Sequence, residues 1–324
     1  MAGLVRTNRS AGGSARLSTL GFAGFSPMVW TIARAPKFGG CTMPPHDAAA
    51  RGQTFWYRRH AWPVRLMHWI NVLAFFVLLP SGLQIFNAHP ALYWGKSSYT
   101  GRPPIVHMGA RLDEQGKPVG VTRMFGHEFN TTGVLGLSSG MDGRLVQRGF
   151  PEWLTLPGQQ WLAMGRRWHF FFAWVLVING FAYMAYTLAS RHLTRDLIPG
   201  RSDWRSIGRS IRDHLLLRHP RGEAARRYNV LQKLAYLSVI FVLFPLLILM
   251  GWAMSPGLDS LFAGWVDWFG GRQSARTIHF VLAWALVAFV FIHVLEVVVT
   301  GFWNNLRSMI TGRYRIPADE VEHE

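Results

Sequence analysis

The amino-acid sequence predicts an all-α integral membrane protein, a bundle of four transmembrane helices with a long extracytoplasmic loop between helices 1 and 2. Three observations carry this reading. Four apolar stretches, at 69–86, 170–189, 234–252 and 280–303, each approach the roughly 20 residues that cross a bilayer core, and only the last holds a charge, Glu296. Half of the chain is hydrophobic while the formal net charge is +17, and the two properties are segregated along its length. Many of the 15 tryptophans stand near the ends of these stretches, as Trp69, Trp168, Trp252 and Trp303 do, where an aromatic belt meets the lipid headgroups. The stretches are too long and too apolar all round for amphipathic helices of a soluble bundle.

In chain order, residues 1–54 read as an extension, rich in Gly, Ser and Arg over its first forty residues and without a sustained hydrophobic period. Its Arg and Ser content can be read as a transit peptide, and a secretory signal is disfavoured because no apolar run ends at a small-residue cleavage site. The plainer expectation is that translation begins at Met43. The membrane domain follows over 55–315, with helices at about 63–87, 166–190, 231–254 and 277–305 and an outer loop at 88–165. Residues 316–324 form an acidic tail.

Basic residues set the orientation. Residues 1–67 carry nine Lys or Arg against Asp47, and the connection 191–229 carries ten Arg against four acids. The connection 255–278 has only Arg272 and Arg276, balanced by Asp259 and Asp267. Positive flanks stay in the cytoplasm, so both termini are expected there, in a multi-pass protein of the bacterial inner membrane. The first connection, 87–167, has nine basic residues, but long loops cross largely regardless of charge. Nucleic-acid binding is the other reading of a basic chain; the placement of these charges beside membrane stretches makes lipid, not nucleic acid, their partner.

Thirteen histidines occur, and four of them, His68, His169, His279 and His293, lie in or at the ends of the apolar stretches. His279 and His293 are fourteen residues apart, about 21 Å along a helix and about 40° short of four turns, so both point the same way. Pairing by depth sets His169 with His279 on the outer side and His68 with His293 on the inner side. Ionisable groups at membrane depth are costly and mark function. Two-histidine sites leave a bare ion short of ligands, and the separation along one helix forbids a common site. A porphyrin supplies the four missing equatorial nitrogens, and occupied axial positions on both faces favour electron transfer. Cys41 is the single cysteine and no C-x-x-C-H motif exists, so iron–sulfur clusters are excluded and each haem is of the b type.

Leu-Gln-Ile-Phe-Asn-Ala-His-Pro-Ala-Leu-Tyr-Trp-Gly at 83–95, Gly-Arg-Arg-Trp-His-Phe-Phe-Phe-Ala-Trp at 165–174 and Gly-Gly-Arg-Gln-Ser-Ala-Arg-Thr-Ile-His at 270–279 carry a resemblance. Over roughly 55–315 the chain resembles the di-haem cytochrome b subunits of bacterial nickel–iron hydrogenases and formate dehydrogenases. It is most similar to thiosulfate-reductase-type cytochrome b proteins. That resemblance implies two haem b, exchange with the quinone pool, and an extracytoplasmic molybdopterin-dependent oxidoreductase as partner.

Other residues take expected roles from position. Arg65, Arg167 and Arg276 lie two or three residues from the histidines; they are candidates for haem propionates or, equally, for interfacial charges. Glu296, three residues after His293, is a candidate proton relay to a quinone or a carboxylate reaching the interface. Asn71, Asn179 and Lys233 are quinone or packing contacts. The loop is expected to cap the outer haem and dock the exported partner, with Tyr93, Trp94 and Tyr99 exposed and His89, His107 and His127 as solvent-facing histidines. Two alternatives stand beside an electron-transfer subunit. One is a self-sufficient superoxide:quinone oxidoreductase; the other is a haem-free transporter or assembly factor. Against the transporter, Pro245 kinks the third helix without a counterpart in a second repeat.

Overall fold

Apolar sequence of this length folds as helix because lipid offers the backbone no hydrogen-bond partner. A computed structural model describes residues 54–98, 101–191, 193–215 and 229–317, and four of its helices are long and apolar enough to cross a membrane: Trp62–Phe86, Leu162–Ala189, Val230–Ala253 and Arg272–Val299. At about 1.5 Å per residue the shortest spans about 36 Å, more than the ~30 Å hydrocarbon layer. The extension before residue 54, with Met43 and Cys41, and the tail after residue 317 lie outside the described residues.

Two helices contain an interior proline. Pro245 lies just after a π-helical turn, Val239–Leu243, whose wider bore accommodates the missing N–H. Pro80 lies inside the first helix. Next to it, the Ser81 hydroxyl bonds the carbonyls of Val77 (2.6 Å) and Leu78 (3.1 Å), satisfying acceptors disturbed by the proline ring. The expected last helix at about 277–305 is two: the span ending at Val299 and a separate helix Phe302–Thr311, divided at Gly301 with φ +108°.

The all-α expectation is corrected by eight strands among the described residues. At one end of the bundle, β1 (Thr54–Arg58) pairs antiparallel with β8 (Arg313–Pro317). We call this the terminal end. At the other end, the connection between the first two spans folds as β2 (Ala91–Leu92), β3 (Val106–Leu112), β4 (Pro118–Met124) and β5 (His127–Asn130) in one sheet, and β6 (Gly136–Ser139) with β7 (Leu145–Arg148) in a second. Extended loop backbone must place its N–H and C=O groups somewhere, and the ladders do this. Turn chemistry fixes the hairpins: Asp113 Oδ1 accepts the amides of Gln115 (2.9 Å) and Lys117 (2.8 Å) between β3 and β4.

This β region is packed on the helix ends. Leu83 and Phe86 of the first span join Leu92, Met108 and Phe150 in one core, with Phe280 of the fourth span against it. Asn87 clamps the Phe150 backbone, donating to its carbonyl (3.0 Å) and accepting its amide (2.7 Å). The Gly95 carbonyl accepts the amides of Gln273 (3.0 Å) and Ser274 (3.2 Å), two of the four N–H groups a helix start leaves unmatched. Gly271 just before them has φ +98°, and a Cβ there would lie 2.7 Å from Lys96 Cα, so glycine is required twice over.

Candidate functional site: two histidine pairs

The first and second spans pack as one hairpin, the third and fourth as another, and each hairpin places one histidine at the loop-bearing end. His169 and His279 face each other there with ring centres 6.3 Å apart and planes at 69°. At the terminal end His68 and His293 also stand 6.3 Å apart, at 57°. The two hairpins hold their loop-end histidines alike. His169 Nδ1 lies 3.1 Å from the Leu78 carbonyl and 3.2 Å from Ser81 Oγ, both on the first span. His279 Nδ1 lies 2.9 Å from the Leu247 carbonyl on the third. A carbonyl only accepts, so each Nδ1 carries the proton and each Nε2 keeps its lone pair. A backbone partner on the far ring nitrogen is the usual way a metal-binding histidine is oriented.

A glycine makes room for the His169 ring: a Cβ at Gly82 would come within 3.2 Å of Cε1, whereas one at Gly251 would meet His279 Cε1 at an ordinary 3.5 Å contact. At the terminal end His293 stacks on Phe289 (6.0 Å, 13°) and His68 meets Trp69 edge-on (5.4 Å). His68 Nδ1 is buried without a hydrogen-bond partner among the described residues.

These distances test the fit of an axially ligated iron. A ligating imidazole nitrogen sits about 2.0 Å from its metal and ~1.2 Å from its own ring centre, so two imidazoles on opposite faces of one ion have centres about 6.4 Å apart. Both pairs meet that value. No cluster of three or more His, Cys, Asp or Glu able to hold a bare ion occurs among the described residues. The donor set therefore fits a group that brings its own equatorial ligands.

The remaining expected residues divide. Arg276 bonds the His89 carbonyl (2.6 Å) and lies over the Phe86 ring (5.4 Å), at the loop-bearing end beside His279. Arg65 bonds the Ile310 carbonyl at the terminal end. Arg167 is exposed. Glu296 lies one turn beyond His293, and with Arg59 and Tyr183 it acts electrostatically on Tyr236. Asn71 and Asn179 bond each other across the first two spans (2.7 Å), and Lys233 pairs with Asp203 (2.8 Å), so all three have packing partners. In the loop, Trp94 and His127 are exposed, Tyr99 lies outside the described residues, and His89 and His107 are partly buried, not solvent-facing as expected. Burial first, then Arg276 and His107, holds the His89 imidazole below its usual pKa. Sequence reasoning missed Ser81 and Gly82; the Pro-Ser-Gly run at 80–82 inside an apolar stretch was the available signal.

A family model described as prokaryotic cytochrome b561 matches residues 59–312. A protein of Azospira oryzae named as a putative protein-methionine-sulfoxide reductase subunit, YedZ1, is 32% identical over 166 residues, covering 50% of this chain and 77% of its own length. With four helices fit to cross a bilayer and its matched region spanning all of them, the chain belongs to the prokaryotic cytochrome b561 family, membrane proteins that bind haem b.

Proposed function

We propose that this protein is a di-haem electron conduit between the quinone pool and an extracytoplasmic oxidoreductase, with His169/His279 as axial ligands of an outer haem and His68/His293 of an inner one. The observation that carries the reading is the repeated 6.3 Å separation at both ends of one bundle. Bound between such pairs, haem supplies a one-electron carrier whose axial positions are closed to oxygen. The chain's own residues do the rest. Leu78, Ser81 and Leu247 fix the outer imidazoles, Gly82 leaves the His169 ring edge clear, and the β region packs on the helix ends at that side. The fourth span, with His279 and His293 about 21 Å apart, joins the two sites.

Within this reading the protein sits in the bacterial inner membrane with both termini cytoplasmic, in line with the arginine-rich flanks at the terminal end. Quinone meets the inner haem, where Glu296 and Tyr236 supply titratable groups at membrane depth. The β region faces outward and receives the partner. Similarity to a subunit named for protein-methionine-sulfoxide reductase supports a reductase in that place, and the resemblance of the motifs at 83–95, 165–174 and 270–279 supports a molybdopterin enzyme.

A reduced-minus-oxidised visible spectrum with haem quantitation on detergent-purified protein tests the proposal. Two low-spin b haems per chain are expected. One haem would remove one pair from the assignment. A protein that takes up no haem would return the transporter reading, and quinone reduction by superoxide without any partner would favour the self-sufficient enzyme.

A further inference from the structure

The loop-bearing end holds a buried cation that nothing above uses. Arg148, at the end of β7, is 3% exposed. Its Nη2 donates only to neutral acceptors: Gln84 Oε1 (3.3 Å), Thr155 Oγ1 (2.9 Å) and the Gly158 carbonyl (3.0 Å). Its Nε is buried with no partner among the described residues. Glu152, the carboxylate within its electrostatic reach, accepts the Met141 amide (2.8 Å) and forms no bond to Arg148. A guanidinium stays protonated even when buried, and a buried charge lacking a counter-ion is expensive. Such a group persists where its field is used.

Position says where the field acts. Gln84 is one helical turn beyond Ser81, whose hydroxyl contacts His169. Phe150, two residues after Arg148, touches Phe280 and Trp284 on the fourth span (6.4 and 6.2 Å). Near the outer pair, Arg276 lies three residues before His279, Arg166 and Arg167 lie just before His169, and Arg148 is the buried one of the loop. The acids in the 255–278 connection are spent on other partners: Asp259 on Arg272 (3.3 Å) and Asp267 on Lys96 (2.7 Å).

Resting on the di-haem reading above, we propose that Arg148 is a positioning charge that raises the reduction potential of the outer haem. A fixed positive charge in a low-dielectric setting favours the reduced iron, which carries one positive charge fewer. In each transfer the inner iron loses one electron and the outer iron gains it. With quinol as reductant, each molecule breaks two O–H bonds, giving two electrons one at a time to the inner iron and two protons to water, and the docked oxidoreductase is the oxidant.

Potentiometric titration of the purified holoprotein, followed at the haem bands, tests this. The outer haem is identified as the component lost in His279→Ala. In Arg148→Gln the equilibrium constant for reducing the outer haem should fall about tenfold, which is 59 mV for a one-electron couple, while the inner haem stays unchanged. Arg148→Lys, keeping the charge, should restore most of the difference. If Arg148→Gln fails to assemble, Gln84→Glu decides: it leaves Arg148 in place and sets a carboxylate against it, and the same outer-haem fall is expected. An outer potential unchanged in Gln84→Glu, or both potentials shifting equally, would overturn the assignment with the di-haem reading intact. A wild-type protein holding fewer than two haems would overturn the di-haem reading and this assignment with it.

Discussion

Gly82 of the first span lies against the imidazole of His169 on the second, so close that a Cβ at that position would stand 3.2 Å from Cε1 and 3.4 Å from Nδ1. The same Nδ1 bonds the Leu78 carbonyl one turn earlier on the first span, so the ring can retreat only by giving up that bond. Gly82→Val should therefore displace His169 at an overpacking cost of about 1–3 kcal/mol and remove the outer haem alone. Haem quantitation checks it; full occupancy of both sites in the variant would contradict the packing account.

The two pairs make separable predictions. His279→Ala should lose the outer haem and keep the inner, and His68→Ala the reverse, each as a halved haem-to-protein ratio with one surviving set of redox transitions. A variant that lost both haems while remaining folded by circular dichroism would break the pairing.

Asn87 is buried, and its amide makes both hydrogen bonds to the Phe150 backbone. Asn87→Ala strands a buried N–H and a buried C=O, at about 1–3 kcal/mol for each unsatisfied group. The β region should then loosen from the helix ends. Faster amide exchange around 148–152 with unchanged exchange in the helix interiors is the expected pattern.

Acid should weaken the same junction through His89. Its folded pKa lies below the ordinary 6.5 because of burial, Arg276 and His107. A lowered pKa on a base means that the unfolded segment binds its proton first. The contribution is present above pH 6.5 and fades as pH falls through that value toward the folded one. Amide protection at Gln273 and Ser274, both capped by Gly95, should drop between neutral and mildly acidic pH, and His89→Gln should flatten that dependence. A wild-type profile flat over the same range would remove the role of His89.

The four spans were legible because apolar length and charge segregation are linear properties of a chain. So were the histidine pairs, since a fourteen-residue interval on one helix fixes direction and depth together. The β region was not, although its turns were: the Gly-Lys-Pro at 116–118 and Asp142-Gly143 do lie at hairpin turns. Its strands are short and half-exposed, and β3 interrupts its apolar alternation with Gly109, so period-2 patterning is weak. The supports of the imidazoles were hidden for another reason. Carbonyls of Leu78 and Leu247 belong to the backbone and leave no mark in sequence. Gly82 reads as an ordinary membrane-helix glycine, and Arg148 reads as one more loop arginine until its burial is seen.

The Gly95 carbonyl that closes the start of the fourth span also anchors it. That helix carries one histidine of each pair, and its first turn is fastened to the connection between the first two spans through the Gly95 carbonyl. The depth of both histidines in the bundle is therefore set from one anchoring point at the loop-bearing end.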